Sequence, residues 1–208
     1  MNKDTQRRTQ TLALCKAVMS LTPTPKPEDK REKTAYIIFL GGGTAVTCNL
    51  RLQVHWRVYT QKVWVAGMRE NVSCDLLTVQ QVLARGGQSP FKLRNQGWVM
   101  DLNTKGQMQW AIEQLLDDLD VDYVILSTAR YHLARCALTF AKMWLYNGDG
   151  RMLRIAVRPS LDPTPEDVAG VIGTNTSAEA ELERIEAYQD KGDVATAEEF
   201  VSLMARSR

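Results

Sequence analysis

No apolar run in the chain approaches the ~20 residues that a bilayer-crossing helix needs. Met1 to Gln10 is polar, and Thr11 to Val18 is too short and too mixed for the core of a signal peptide. These features predict a cytoplasmic protein without membrane insertion. The four cysteines, Cys15, Cys48, Cys74 and Cys136, form no C-x-x-C pair. That spacing speaks against a zinc ribbon and against a small disulfide scaffold, and predicts reduced thiols. The two histidines, His55 and His132, have no neighbouring ligand at metal spacing, so no metal site is expected. Lys and Arg total 26 against 24 Asp and Glu, and a net charge of +2 is too small to argue for nucleic acid.

What is present suits an ordinary globular chain. The hydrophobic fraction is 44% and the length 208 residues, enough for one cored domain with appended pieces. Residues 5–21 read as an N-terminal helix, with Leu12, Leu14, Val18 and Leu21 as an imperfect apolar face. Thr22-Pro-Thr-Pro-Lys-Pro27 and the charged run to Lys33 read as an extended linker. The predicted organisation is an N-terminal helix and linker over 1–33, a folded domain over 34–160, and a helical extension over 161–208.

Within the domain, short apolar runs alternate with helical patterns. Tyr36 to Leu40, Lys62 to Ala66, Gly97 to Asp101, Tyr123 to Ser127 and Leu153 to Val157 read as strands. Cys48 to Tyr59, Asp75 to Arg85, Thr104 to Leu119 and Tyr131 to Tyr146 read as the helices between them. An acidic helix at 177–189 and a short helix after Asp193 follow. The alternation predicts an α/β fold: a Rossmann-like, doubly wound, mostly parallel five-stranded sheet with helices on both faces. Its first and fourth strands become neighbours at the switch point, where open α/β sheets bind ligands.

Two distant segments then meet. Gly41-Gly42-Gly43 follows the first strand and permits close backbone approach to a ligand, although a plain sharp turn fits equally. It is not a dinucleotide fingerprint, since Val46 stands where G-x-G-x-x-G needs glycine, and no Walker lysine follows. Thr128 closes the fourth strand, and His132 and Arg135 leave one face of the next helix at i and i+3. An imidazole titrating near neutrality suits proton transfer, and a guanidinium suits bidentate recognition of phosphate or carboxylate. A half-buried histidine and a surface ion-pair arginine are the bland alternatives. Thr104 and Gln107 open the preceding helix, Thr104 fitting an N-cap as well as a ligand contact. Asp75 fits either a helix start or a catalytic carboxylate. Arg51 and Arg130 add positive charge if turned inward.

The order Leu40-Gly-Gly-Gly43, Arg51, Val63-Trp-Val-Ala-Gly67, Thr104-Lys-Gly-Gln107 and Ile125-Leu-Ser-Thr-Ala-Arg-Tyr-His132 with Arg135 resembles the bacterial YdcF/SanA-like domain over roughly residues 35–160. The resemblance implies a Rossmann-like fold and a nucleotide-like ligand such as S-adenosylmethionine. The chain departs from that family's pattern at Ala66-Gly67-Met68, at Asp75 in place of glutamate, and at Gln107 in place of asparagine.

The resulting expectation is a domain that binds a small anionic, nucleotide- or phosphate-containing ligand. Gly41, Gly42 and Gly43 cradle it, Arg51 and Arg135 pair its charge, and Thr104, Gln107, Thr128 and Arg130 line the site. His132 serves as general acid/base and Asp75 as an orienting carboxylate in any hydrolysis or transfer. An S-adenosylmethionine-binding protein or methyltransferase is one alternative. The other is a non-enzymatic scaffold, with the N-terminal helix or the acidic segment Glu179 to Glu183 docking a partner.

Overall fold

The computed structural model describes residues 2–22, 34–39, 62–66, 103–160 and 178–206. The first element is helix α1 (Lys3–Met19), opened by the Asn2 side chain, which accepts from the Asp4 amide at 3.2 Å. Strands β1 (Thr34–Phe39) and β2 (Lys62–Ala66) follow, then helix α2 (Thr104–Asp117), strand β3 (Tyr123–Thr128), helix α3 (Arg130–Asn147) and strand β4 (Arg154–Pro159). Helices α4 (Ala178–Asp190) and α5 (Ala197–Arg206) complete the described chain.

The strands form one sheet in the order β2-β1-β3-β4, and every adjacent pair is parallel. β1 and β3 are buried along their whole length, which explains why both read as unbroken apolar runs. Register places Ala35 beside Val124 and Ile37 beside Leu126, with Val124 and Leu126 beside Ile155 and Val157. These alternate residues share one sheet face.

That face joins the helices in a single core. Ala35, Ile37, Phe39, Val124, Leu126, Ile155 and Val157 cluster with Met108 and Leu115 of α2 and with Leu133, Ala137 and Phe140 of α3. Leu14 and Val18 of α1, Ile185 of α4, and Phe200 and Leu203 of α5 belong to the same cluster. The N-terminal helix therefore turns its apolar stripe inward, onto α3, α4 and α5. Leu12, which the sequence pattern assigned to that stripe, is exposed instead.

The five-stranded, doubly wound Rossmann-like sheet is thereby corrected. The described sheet has four strands, and the described helices enter the core from one face of it. The expected strand at 97–101 and the expected helices at 48–59 and 75–85 lie outside the described residues. α2 also ends two residues short of its expected limit. Asp118 caps it in a non-helical conformation and leaves Leu119 exposed beyond it.

The segment after α1 meets the outer side of β4, where the Val157 amide donates to the Leu21 carbonyl at 2.7 Å. No described helix is long and apolar enough to cross a membrane.

Candidate functional site

The strand order changes direction at β1. The chain passes from β1 outward to β2, then returns through α2 to β3 on the other side of β1. α2 runs back along the sheet before β3, so its first turn lies at the carboxyl ends of the strands. α3 starts at that same end, directly after Thr128. Two helix N-termini and their first-turn side chains thus meet at the switch point.

Four side chains interlock there. Arg135 of α3 donates from Nε to Glu181 Oε2 at 2.7 Å and from Nη2 to Glu181 Oε1 at 3.3 Å. Its Nη1 donates to Thr104 Oγ1 at 2.9 Å, and its Nη2 faces His132 Nδ1 at 2.9 Å. The remaining ring nitrogen, Nε2, lies 3.4 Å from Thr104 Oγ1. Arg184 adds a second cation to Glu181 Oε1 at 2.6 Å. A guanidinium carries only donors, so His132 Nδ1 accepts from Arg135 and the ring proton sits on Nε2. Glu181 Oε2 stands farther off from Nδ1, at 3.6 Å. At 2.9 Å from a guanidinium nitrogen, a protonated Nδ1 would set two donors head to head.

Glu181 is 3% exposed. Burial would raise its carboxyl, but His132 in its protonated form and the Arg135 guanidinium outweigh that and hold it down at about 2. Arg135 is correspondingly stabilised as a cation: burial works against it, and the Glu181 carboxylate more than compensates.

Local sequence explains why Thr104 is free to join. Asn103, not Thr104, caps α2, its side chain accepting from the Gly106 amide at 2.8 Å. Thr104 becomes the first helical residue, and its hydroxyl reaches across to α3. By contrast, α3 begins at Ala129 with no side-chain cap, leaving its first-turn amides without one.

The expected site residues therefore divide into three groups. Thr104, His132 and Arg135 are brought into direct contact. Arg135 does so with its charge already matched by Glu181. Thr128 and Gln107 are buried at the same end of the sheet, and neither Thr128 Oγ1 nor Gln107 Oε1 has a hydrogen-bond partner among the described residues. The Ser160 hydroxyl is equally buried and unpartnered, and the Ser160 amide donates to the Thr128 carbonyl at 2.8 Å. Arg130 is exposed at the first position of α3. Gly41, Gly42, Gly43, Arg51 and Asp75 lie outside the described residues.

Glu181 is the residue that the sequence reading missed as part of the site. The segment Glu179 to Glu183 read as an acidic docking face, yet its members point in different directions: Glu179 pairs with Arg8 of α1, whereas Glu181 turns inward. The signal was available in the spacing. Glu181 shares a helical stripe with Leu182, Ile185 and Tyr188, and a carboxylate in an apolar stripe needs a buried cation.

Among the described residues, no group of three His, Cys, Asp or Glu side chains is placed to hold a metal ion. An open groove of about 1210 Å³ lies at the other end of the sheet, between α1, α5 and the start of β4, lined by Leu14, Ala17, Tyr123, Ile155, Val201 and Met204. It contains none of the four interlocked side chains.

Comparison of the chain with family models, with curated proteins and with solved structures found no match.

Proposed function

We propose that the chain binds a small anionic ligand, of the phosphate- or nucleotide-containing class, over the N-terminus of α3 at the carboxyl ends of β1 and β3. The observation that carries this reading is the Thr128 side chain. Its hydroxyl is fully buried and has no hydrogen-bond partner among the described residues, immediately before a long helix that starts without a side-chain cap. A buried hydroxyl left unpaired costs about 1–3 kcal/mol, a cost that a bound oxygen atom removes. Uncapped first-turn amides and the helix dipole favour a negative group at that point. Ser160, whose amide donates to the Thr128 carbonyl, carries a second buried hydroxyl with no partner among the described residues, and Arg130 is exposed at the first position of α3.

In this reading Arg135 is not the ligand's counter-ion, because Glu181 already neutralises it. The Thr104, His132, Arg135 and Glu181 group forms a rigid support behind the ligand. His132 Nδ1 is occupied by Arg135, which favours binding over base catalysis by that nitrogen. The motif likeness to the YdcF/SanA-like domain points to the same strand ends.

The test is a thermal-shift screen with inorganic phosphate, pyrophosphate, nucleotides, sugar phosphates and S-adenosylmethionine, run on the wild type and on Thr128→Val. Saturation at a hundred times the dissociation constant adds about 2.7 kcal/mol of stability. A shift present in the wild type and lost in Thr128→Val is expected. No shift with any anion refutes the proposal.

A further inference from the structure

We infer that Glu181, on helix α4, is a positioning residue for this site: acting through Arg135, it fixes the proton of His132 on Nε2 and turns the Thr104 hydroxyl into a hydrogen-bond donor. This rests on the reading that a ligand lies over the N-terminus of α3, where the first turn of α2 also ends, and it names what that ligand must offer Thr104, which is an acceptor oxygen.

Glu181 accepts from Arg135 through both carboxylate oxygens, which locks the plane of the guanidinium. In that plane Nη2 points at His132 Nδ1 and Nη1 at Thr104 Oγ1. Arg135 cannot accept, so Nδ1 is bare and the ring proton lies on Nε2, facing Thr104 Oγ1 at 3.4 Å. The Thr104 oxygen has two lone pairs. One takes Arg135 Nη1–H and the other faces His132 Nε2–H. Its own proton is left to donate away from both.

A displaceable gate is a poorer account of Glu181. α4 is packed into the common core through Ile185, and Glu181 itself is held by Arg184 as well as Arg135. Lifting the carboxylate away would strip two cations of their partner at once. A fixed carboxylate that sets the orientation of its neighbours fits this burial better.

The experiment is nitrogen NMR of the His132 ring in the full chain, labelled with ¹⁵N-histidine and without added ligand. The chain has two histidines, so a His132→Gln spectrum assigns the ring. Near pH 7.5 the wild type is expected to show a bare Nδ1 and a protonated Nε2. Glu181→Gln, which keeps the shape and removes the charge, is expected to yield a mixture of the two tautomers. Arg184→Ala removes the other cation from the same carboxylate, and is expected to leave the tautomer as it was.

A wild-type ring protonated on Nδ1 overturns the inference without any variant, so a Glu181→Gln protein that does not fold leaves it falsifiable. A folded Glu181→Gln with an unchanged ring overturns the positioning role, as does an Arg184→Ala protein that scrambles the tautomer equally. None of these outcomes involves ligand binding, so failure here and failure of the thermal-shift screen are read separately.

Discussion

Replacing Glu181 by glutamine tests the energetics of the interlocked group directly. The carboxyl moves from an ordinary 4.5 to about 2 in the folded chain. At 1.36 kcal/mol per unit, that difference of about 2.5 units corresponds to about 3 kcal/mol at neutral pH. The folded value lies below the unfolded one. The contribution is therefore complete above about pH 5 and is lost as pH falls toward 2. At pH 3 linkage leaves about 1 kcal/mol of it. Urea denaturation of wild type and Glu181→Gln at pH 7 and at pH 3 reads the two values. The variant should be less stable by about 3 kcal/mol at pH 7, within the range for breaking a buried ion pair. The gap should narrow by about 2 kcal/mol at pH 3. A gap that stays constant with pH would refute the reasoning, because it would mean that the carboxylate charge is not what the folded state stabilises.

Two further outcomes follow from burial. Thr128→Val removes a hydroxyl that has no partner among the described residues and keeps its shape, so the ligand-free protein should gain about 1 kcal/mol; a loss on thermal melting would show that the hydroxyl is already satisfied. Leu14→Ala should cost about 2–5 kcal/mol in denaturant titration, because Leu14 is 6% exposed within the common core; a near-zero cost would show that α1 is an independent appendage.

How far the sequence disclosed this arrangement depended on the range of each signal. The run from Tyr123 to Thr128 is apolar, rich in β-branched residues and buried along its whole length, so the strand was legible. The adjacency of that strand to Thr34–Phe39 followed from the alternation of strands and helices, and the register shows it. The i, i+3 spacing of His132 and Arg135 is local geometry, and the two side chains do meet. The five-strand count does not hold for the described sheet, which has four strands; the apolar run at 97–101 lies outside the described residues. Thr104 was placed one position off its helical role because Asn103 and Thr104 are both competent caps, and only the hydrogen bond to Gly106 distinguishes them. For Glu181 the apolar stripe of its helix signals that it is buried but not which cation it meets. Its partner lies 46 residues away, and no pattern within one helix reports a partner on another.

The carbonyl of Leu21 has a consequence for how the molecule meets its own kind. β4 is the edge of the described sheet, and the amides of positions 155, 157 and 159 face away from β3, since the Arg154 and Ser160 amides donate inward to Asp122 and Thr128. Val157 donates to Leu21, and Pro159 has no amide hydrogen to offer. Two of the three outward positions are thus closed to an incoming strand. Edge-on stacking of one copy against another is discouraged by a single residue and a proline, and deletion of the N-terminal helix together with Leu21 would uncover a template for aggregation as well as a core.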